Sequence, residues 1–501
     1  MMFNSFRAFG TFLMGVAAVQ AFAALPEVFP APGSQVSPDT RLSIVFPSRP
    51  EVGNSGVIRI FDASTDKQVD SLDLSIPAGP SKPTTLPKAS YTLEPYNYFK
   101  PRLTNADCVP GTPSGTAARD TSRYQLSIIG GFTDGFHFHP VIVKDNRAEI
   151  YPHNNLLEYG KEYYVTVPPS AFALEKGKFK GISKKDGWRF KTRAEAPAAD
   201  KRDLVVARDG SGDFLTVQGA IDHVPDFASE PWHIFVKNGD YEELVYFRNK
   251  SLLTIEGENR DSVYIHYPNN EVFNPHPADV STNEWLGTFP SRRAAFAVDH
   301  CSDVTLRNFT VATTLVGQAE GLLVNGERTR LENLTVLGSG DALQANGPTY
   351  IANCRIEGHG DTVLGRGPCF FYGSTLVSRG AFAWIRNGTS NHGDVLVDCT
   401  LIGVGDKSYF ARTNGTYPNA EFVLIDCRVE GIPAEGWGGL ERGNSDYVRY
   451  WEAGTVNLSD GKPADLSRRA PGSRVLDAVA DSALINLYRN PAWVLGGWNP
   501  E

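Results

Sequence analysis

Cysteine is scarce in this chain and an excess of positive charge is absent, and both facts exclude classes of protein. The 501 residues include 6 Cys and 3 Met, too few cysteines for a disulfide-stapled scaffold. No two cysteines form a C-x-x-C pair, which argues against a structural zinc site. Lys+Arg total 48 against 57 Asp+Glu, a net charge of -9, so the basic surface of a nucleic-acid binder is not expected.

The residues that are abundant suit a large, turn-rich β protein. Hydrophobic residues make up 41% and aromatic residues 11% of the chain, enough to bury a substantial core. The 48 Gly and 33 Pro favour many turns over long helices. At ~150 residues per typical domain, the length predicts two domains, or one domain and a solenoid.

The first residues have the pattern of an export signal. Arg7 precedes an almost wholly apolar or small stretch from Phe9 to Ala24, which contains the small-x-small site Ala21-Phe22-Ala23. We therefore predict a signal peptide over residues 1–23 and a secreted protein, extracellular or periplasmic. No later stretch approaches ~18 uninterrupted apolar residues, so no membrane span is expected.

Residues 24–195 and residues 201–501 differ in their patterns. The first region contains short alternating segments at 41–46, 57–61, 124–129, 136–143, 163–167 and 188–191. These segments resemble the β-sandwich of immunoglobulin-like modules, with a long insertion within 77–123. Residues 196–200 are predicted to be a linker. The second region is predicted to end in a C-terminal extension with helical spacing from Ser473 to Tyr488.

The second region repeats a short β-type unit. The units are Asn308-Phe309-Thr310, Asn333-Leu334-Thr335, Asn353-Cys354-Arg355, Gly373-Ser374-Thr375, Asp398-Cys399-Thr400 and Asp426-Cys427-Arg428. The intervals from Asn308 are 25, 20, 20, 25 and 28 residues. A strand-turn-strand unit at that period is typical of one coil of a right-handed parallel β-helix, and the fold class is therefore expected to be all-β.

The coils of such a solenoid bury their inward side chains only by stacking. The expected inward column is Leu334, Cys354, Ser374, Cys399 and Cys427. The cysteines in it are then core residues. Cys354 and Cys399 would lie ~9.6 Å apart, two coils at ~4.8 Å each, which is too far for a disulfide.

Two aspartates occupy one position of adjacent coils. Asp341 lies seven residues after Leu334, and Asp361 lies seven after Cys354. The two carboxylates should therefore stand about 5 Å apart on the outside of the cylinder. Two carboxylates this close repel each other when both are ionised, so the pKa of one should rise while the pKa of the other stays low. An acid and a nucleophile require this difference. A pair of solvated turn aspartates would have the same spacing.

Three arginines follow the same register less strictly. Arg366 lies twelve residues after Cys354, Arg386 twelve after Ser374, and Arg412 thirteen after Cys399. On consecutive coils they would form a ribbon of guanidinium groups suited to carboxylates. A solvated charged face is the alternative for Arg366 and Arg386.

Several motifs, in order along the chain, resemble those of the pectin methylesterases (pectinesterases). They are Asp209 to Gln218 (DGSGDFLTVQ), Val236 to Tyr241 (VKNGDY), Gly317-Gln318-Ala319, Asp341-Ala342-Leu343, Tyr350 to Gly358 (YIANCRIEG), Asp361 to Gly365 (DTVLG), Tyr409 to Arg412 (YFAR) and Gly436-Trp437. The resemblance covers about residues 203–455. It implies a parallel β-helix that hydrolyses the methyl esters of pectin, with methylated homogalacturonan as its partner.

The resemblance also implies roles for individual residues. Asp361 would be the nucleophile, Arg412 would hold it ionised and aimed, and Asp341 would be the general acid and then base. Gln318 would donate to the oxyanion. The substrate-binding residues would be Arg366, Arg386, Tyr409 and Trp437. No metal or organic cofactor is implied, and the sequence does not indicate an oligomeric state.

The chain departs from the family pattern at three places. Gly340 stands where the family has a glutamine before the first aspartate, Thr362 replaces the phenylalanine of the DFIFG motif, and Thr413-Asn414 replaces a Pro-Trp pair. Loss of one oxyanion donor can lower the rate by ~10²–10³. Gln344 is one possible replacement for that donor.

Other functions stay as alternatives. One is a β-helical hydrolase or lyase of polygalacturonan, although inverting hydrolysis needs carboxyl groups ~6.5–9.5 Å apart and adjacent coils bring them closer. The others are a catalytically impaired polysaccharide-binding protein and an esterase of different ester specificity, both suggested by Gly340.

Overall fold

The chain forms two β-rich parts in a computed structural model that describes residues 25–81, 124–132, 135–275, 291–414, 417–438, 440–441 and 447–500. The predicted signal peptide, most of the predicted insertion within 77–123, and Cys108 lie outside the described residues.

The first part contains eleven short strands in two larger sheets and one pair. The strands are β1 (Val28–Phe29), β2 (Gln35–Val36), β3 (Leu42–Val45), β4 (Pro50–Val52), β5 (Val57–Asp62), β6 (Gln68–Asp73), β7 (Val141–Lys144), β8 (Arg147–Ile150), β9 (Glu162–Thr166), β10 (Phe172–Leu174) and β11 (Arg189–Thr192). The sheet orders are β1-β3-β8-β7, β2-β11-β9-β5-β6 and β10-β4. Short 3₁₀ turns occur at Pro169–Ala171 and Lys184–Asp186.

The two larger sheets of this part share one core. Ile44 and Ala148 of one sheet and Ile60, Val165 and Phe190 of the other belong to the same buried cluster. The pairs are antiparallel except that of β2 with β11, which is parallel. The sheets therefore form a sandwich, whereas its immunoglobulin-like character stays a prediction. The segment expected to be a strand at 124–129 forms isolated bridges instead, among them the bridge of Ser127 with Phe136.

The second part is a stack of parallel strands in three sheets, a right-handed parallel β-helix. Sheet one contains β12 (Asp203–Val206), β13 (Trp232–Val236), β16 (Leu253–Gly257), β19 (Thr305–Arg307), β22 (Thr329–Glu332), β25 (Thr349–Ala352), β28 (Cys369–Tyr372), β31 (Asp394–Val397), β34 (Glu421–Ile425), β37 (Arg449–Ala453) and β39 (Arg474–Val475). Sheet two contains β14 (Gly239–Glu242), β17 (Val263–Tyr267), β20 (Thr310–Thr313), β23 (Thr335–Leu337), β26 (Arg355–Gly358), β29 (Thr375–Ser378), β32 (Thr400–Gly403), β35 (Arg428–Glu430) and β38 (Val456–Asn457). Sheet three contains β15 (Val245–Arg248), β18 (Phe296–Ser302), β21 (Leu322–Glu327), β24 (Leu343–Ala345), β27 (Val363–Gly365), β30 (Ala383–Ile385), β33 (Ala411–Asn414) and β36 (Leu440–Glu441).

A left-handed residue makes the corner between sheet one and sheet two in each repeat unit. The residues and their φ angles are Asn308 (62°), Asn333 (49°), Asn353 (54°), Gly373 (58°), Asp398 (54°) and Asp426 (54°). Asn, Asp and Gly adopt this conformation most readily, which explains why only they begin the repeated units.

The residue after each corner points into the cylinder. Leu334, Cys354, Ser374, Cys399 and Cys427 are all buried, and the backbone N–H of Cys354 donates to Ser374 Oγ over 3.1 Å. The predicted inward column is confirmed. The cysteines within the described residues are buried free thiols.

Helices are few among the described residues: one lies at the first coil and two lie against a side of the cylinder. Helix α1 (Val217–His223), N-capped by Thr216, packs its apolar side chains on the first coil. Helices α2 (Ser482–Tyr488) and α3 (Pro491–Val494) cover the outer face of sheet one. The predicted helix from Ser473 begins later, because Arg474–Val475 extends sheet one instead. Among the described residues, no helix has the length and apolar character needed to cross a membrane.

Candidate active site

The two aspartates lie side by side where adjacent coils enter sheet three. Leu343 of β24 pairs with Val363 of β27, so Asp341 and Asp361 hold equivalent positions just before these strands. The backbone N–H of Ala342 donates to the carbonyl of Thr362 over 3.0 Å. Since paired strands lie ~4.8 Å apart, the carboxylates share one small area outside the cylinder, as the spacing predicts.

Asp361, just before β27, is bound by an arginine on β33, which lies six strands later in the chain and two coils away. Arg412 Nε donates to Asp361 Oδ1 over 2.7 Å, and Arg412 Nη2 donates to Oδ2. This fork-on-fork arrangement fits an ionised carboxylate. Asp361 itself has φ of 49°, an uncommon backbone conformation for a residue with a side chain, which sets the direction of its carboxylate.

An indole ring supports that arginine. The Arg412 guanidinium lies 4.6 Å from the centroid of the Trp384 ring, and the Arg386 guanidinium lies 3.6 Å from it. Trp384 therefore restricts both cations, because planar guanidinium groups stack favourably on aromatic faces. Trp384 pairs directly with Arg412 across β30 and β33.

Asp341 has a different environment from its neighbour. It is 7% exposed, and burial is the main cause that raises its pKa, to about 7. The charges of Glu320 and Asp361 also raise the pKa, while Arg293 and Arg386 lower it. A carboxyl group with this pKa is partly protonated near neutral pH and can act as an acid or a base.

A buried ion pair that the sequence analysis did not identify lies against Asp341. Arg293 Nη2 donates to Asp341 Oδ2 over 2.9 Å. The same guanidinium donates through Nε to both oxygens of Glu320, at 2.8 and 2.9 Å. Glu320 has an exposed fraction of 0%. The signal that could have found Glu320 is an acidic residue two positions before the apolar strand β21.

Gln318 lies next to this pair, on the turn that precedes β21. In one orientation of its amide, the oxygen accepts from Arg293 Nη1 over 3.4 Å. In the other, the amide nitrogen donates to Glu271 Oε2 over 2.6 Å. We adopt the second orientation, because it replaces a long bond by a short charge-assisted one. One amide N–H of Gln318 is then engaged with Glu271, and a second remains to donate elsewhere.

Gly340 cannot simply be exchanged for the glutamine of the family pattern. It has φ of 91°, and a Cβ placed on it would lie 3.1 Å from the carbonyl oxygen of Gly317. A side chain there would be strained both sterically and conformationally. Gln344, the possible replacement, is 2% exposed on β24, and its Oε1 is buried without a hydrogen-bond partner.

The predicted substrate-binding residues fall into two groups. Arg366 and Arg386 follow the paired residues Gly365 and Ile385, so they do lie on adjacent coils. Arg412 is shifted two positions from that row, since it pairs with Trp384. The predicted ribbon of three arginines is therefore two aligned cations beside a third that holds Asp361.

The two predicted aromatic residues, Tyr409 and Trp437, differ in their exposure. Tyr409 is partly buried next to β33. Trp437 is 2% exposed and stacks on Tyr450 inside the cylinder, with ring centroids 4.8 Å apart. The expectation that Trp437 binds substrate is therefore corrected, because its ring fills the core of a late coil and does not reach the outer surface.

The site contains no candidate metal centre within the described residues. No three His, Cys, Asp or Glu side chains in that part of the chain are arranged to hold a metal ion. The side chains gathered around Asp341 and Asp361 are suited instead to acid, base and nucleophilic chemistry at a carbonyl group.

Comparison with known proteins identifies relatives over the β-helix. Residues 203–394 match the family model Pectinesterase, a range that includes Asp341 and Asp361 but ends before Arg412. Pectinesterase QRT1 of Arabidopsis thaliana is 28% identical over 292 residues, 55% of this chain and 74% of that protein. Probable pectinesterase 56 of the same plant is 30% identical over 163 residues, 31% of this chain and 51% of that protein.

The solved structures that match this chain include one from a fungus. The pectin methylesterase from Aspergillus niger matches with a TM-score of 0.47 and 21% identity, covering 60% of this chain and 96% of that one.

Proposed function

Because this chain belongs to the pectinesterase family and is therefore a carboxylic ester hydrolase, we propose that it removes methyl groups from pectin. The products are methanol and the free carboxylate of galacturonate. The observation that carries the proposal is the adjacent pair of carboxyl groups, one forked onto Arg412 and the other, Asp341, with a pKa raised to about 7.

The first half of the reaction uses the two aspartates in opposite protonation states. A carboxylate oxygen of Asp361 attacks the ester carbonyl carbon, and the carbonyl electron pair moves to oxygen. Protonated Asp341 then gives its proton to the methoxy oxygen as the bond to that oxygen breaks, and methanol leaves. An acyl-enzyme anhydride on Asp361 remains.

The second half returns both groups to their starting states. Asp341, now a carboxylate, takes a proton from water while the water oxygen attacks the acyl carbon. Collapse of this second tetrahedral species releases Asp361 as a carboxylate and the galacturonate as an acid, which ionises in solution. The second amide N–H of Gln318 is our candidate donor to the oxyanion in both halves.

The neighbouring arginines fit a polyanionic substrate. Arg366 and Arg386 lie on adjacent coils beside the site, and demethylated galacturonates elsewhere on a chain carry carboxylates that guanidinium groups bind well. Arg366 Nη2 also lies 3.3 Å from the Tyr417 hydroxyl, so the cation is already oriented. We therefore propose that these two arginines bind galacturonate units flanking the reacting ester.

The alternative functions have less support. Hydrolysis of the polymer backbone by inversion needs a wider carboxyl separation than adjacent coils give. An impaired enzyme is suggested only by Gly340, and Gln318 remains to supply a donor. The predicted signal peptide would export the protein from the cytoplasm. That location suits an enzyme whose substrate is a polysaccharide.

Product analysis on highly methylated homogalacturonan tests the function. We expect the purified chain to release methanol without a rise in reducing ends or in ultraviolet-absorbing unsaturated products. Asp361→Asn should lower methanol release by ~10³ or more, because the nucleophile is lost while its shape is kept. Asp341→Asn should slow release and leave an acylated protein visible by mass spectrometry.

A matched control separates chemistry from the backbone. Asp398→Asn changes a corner aspartate with φ of 54°, close to that of Asp361, and should leave methanol release unchanged. New reducing ends or unsaturated products without methanol would contradict the proposal, as would an Asp361→Asn variant as active as the wild type.

A further inference from the structure

The pair formed by Arg293 and Glu320 has no role in the mechanism described so far, although it touches the proposed acid. Arg293 makes its closest bonds to Glu320, with Nη2 to Oε1 at 2.5 Å, and then reaches Asp341 Oδ2 at 2.9 Å. Both partners are largely removed from solvent, with side chains 13% and 0% exposed. A buried pair is costly to desolvate, and it therefore calls for a reason beyond stability.

The chemistry of the guanidinium restricts the proton on Asp341. Arginine has five N–H donors and no acceptor. The oxygen that accepts from Arg293, Oδ2, is therefore the less favourable position for the acid's proton, because a hydroxyl oxygen is a weaker acceptor than a carbonyl oxygen and its proton would lie beside a cation. The bond to Arg293 thus favours the proton on Oδ1.

Glu320 solves the problem that such an arginine creates. A lone cation beside Asp341 would favour the carboxylate form and deprive the site of its acid. Glu320 supplies a compensating negative charge that is fully buried and bound to two nitrogens of the same guanidinium. The arginine can thus orient Asp341 without forcing its ionisation.

We propose that Arg293 and Glu320 act as a positioning pair, in which the arginine favours the acid proton of Asp341 on Oδ1 and the glutamate keeps that proton from leaving. This inference rests on the proposed function only in calling Asp341 the acid. The pair lies outside the motifs that carry the family resemblance, and it provides orientation at a site where Gly340 offers no side chain.

The charged groups around Asp341 set the direction of each test. Glu320 and Asp361 raise its pKa, and Arg293 and Arg386 lower it. Glu271 faces Arg293 Nη1 at 3.5 Å, and Arg412 faces Asp361. Removal of one member of the pair should therefore move the Asp341 titration in one direction, and removal of the other member should move it in the opposite direction.

Two substitutions test the proposal, Glu320→Gln, which keeps the shape of the side chain, and Arg293→Gln, which removes the cation. In Glu320→Gln the compensating charge is lost, so Asp341 should titrate about one pH unit lower, and the loss of kcat/KM at alkaline pH should begin at correspondingly lower pH. In Arg293→Gln the titration should move to higher pH, and kcat should fall about tenfold or more at low pH because the proton no longer favours one oxygen. KM should change little in either case.

A matched control comes from a second buried pair in a late coil. Arg469 Nε donates to Glu452 Oε1 over 2.8 Å, with side chains 8% and 1% exposed. Glu452→Gln also leaves a buried arginine without its carboxylate partner. It should therefore lower stability as Glu320→Gln does, but it should not shift the dependence of kcat/KM on pH.

A direct titration keeps this inference distinct from the proposed function. The carboxyl carbon of Asp341, labelled with ¹³C and identified through its loss in Asp341→Asn, can be followed by NMR in the unliganded full chain. If no ester of homogalacturonan is cleaved, the function fails while the titration still reports on the pair. If methanol is released but Glu320→Gln and Arg293→Gln leave the titration unmoved, or move it the same way, the positioning role is overturned. If only one of the two variants folds, the direction in which its Asp341 titration moves is enough to support or overturn the positioning role.

Discussion

At the scale of single residues, the site shows how environment gives two identical side chains different properties. Asp361 is held by two parallel N–H donors of Arg412, an arrangement made for a carboxylate. Asp341, one coil away, is enclosed and lies beside a second buried acid, so its pKa rises to about 7. A nucleophile must be ionised and an acid must hold its proton. Two aspartates meet both requirements here because their surroundings differ.

The raised pKa of Asp341 predicts an alkaline loss of activity. The acid must be protonated to release methanol, and the protonated fraction falls as pH rises through about 7. We expect kcat/KM to be retained below that pH and to fall by about tenfold per pH unit above it. An uncharged methyl ester should be used, so that ionisation of the substrate does not contribute.

The control for this profile is Asp341→Asn, which should be slow at every pH and lack the alkaline limb. A wild-type profile that stays flat from pH 6 to 9 (about two units above the expected midpoint) would contradict the assignment of Asp341 as the acid.

The repeat spacing predicts part of this site and misses part of it. Asp341 and Asp361 are separated by a whole coil, so counting residues is enough to make them neighbours. Arg293 follows a long segment without the repeat, where no count applies, and only the folded chain brings it to Asp341. Glu320 is visible in the sequence as an acid within an apolar run, but its partner is not.

At the scale of elements, the coil corners decide which residues start each repeat. Asn353 has φ of 54° and is exposed, so its side chain contributes conformation more than packing. The same corner holds Gly373 one coil later. The corner therefore selects residues that tolerate the left-handed region, and the strands on either side follow from it.

Substitution at Asn353 tests this directly. Asn353→Val should lower the free energy of unfolding by about 1–3 kcal/mol, because a β-branched residue is strained at positive φ. Asn353→Gly should stay within about 0.5 kcal/mol of the wild type, because glycine adopts that conformation freely. Urea unfolding followed by circular dichroism measures both, and equal midpoints for the two variants would contradict the conformational explanation.

Element registers also show where counting fails. Trp384 pairs with Arg412, 28 residues later, whereas Thr375 pairs with Thr400, 25 residues later. The extra three residues lie in the turn before β33, so the sequence spacing misplaced Arg412 relative to Arg386. Turns on the outside of a solenoid can change length without disturbing the core, and for that reason sequence spacing is least reliable there.

At the scale of the whole molecule, the sandwich is joined to the β-helix by buried polar bonds and apolar packing. Asp39 of the sandwich accepts from the backbone N–H groups of Leu215 and Thr216, each over 2.8 Å. Phe132 and Phe136 belong to one cluster with Tyr246 of sheet three. The glycine-containing segment before α1 is thus a docking point between the two parts.

Loss of this docking contact should destabilise the protein. Asp39→Ala leaves two backbone donors without their acceptor and should lower the free energy of unfolding by about 2 kcal/mol. Asp73→Ala is the control, since the Asp73 side chain accepts from the backbone N–H and the hydroxyl of Ser75 in an exposed turn, and its removal should cost less than about 1 kcal/mol. Equal losses in the two variants, measured by urea unfolding, would contradict a structural role for the contact.

The left-handed backbone at Gly340 limits how this site can be redesigned. Reinstating an amide ahead of Asp341 by one substitution would place a side chain at φ of 91° and press it against the carbonyl oxygen of Gly317, so the new residue would start from a strained position. Directed evolution toward faster turnover should therefore accumulate changes around Gln318 and Glu271, where the backbone already accommodates side chains.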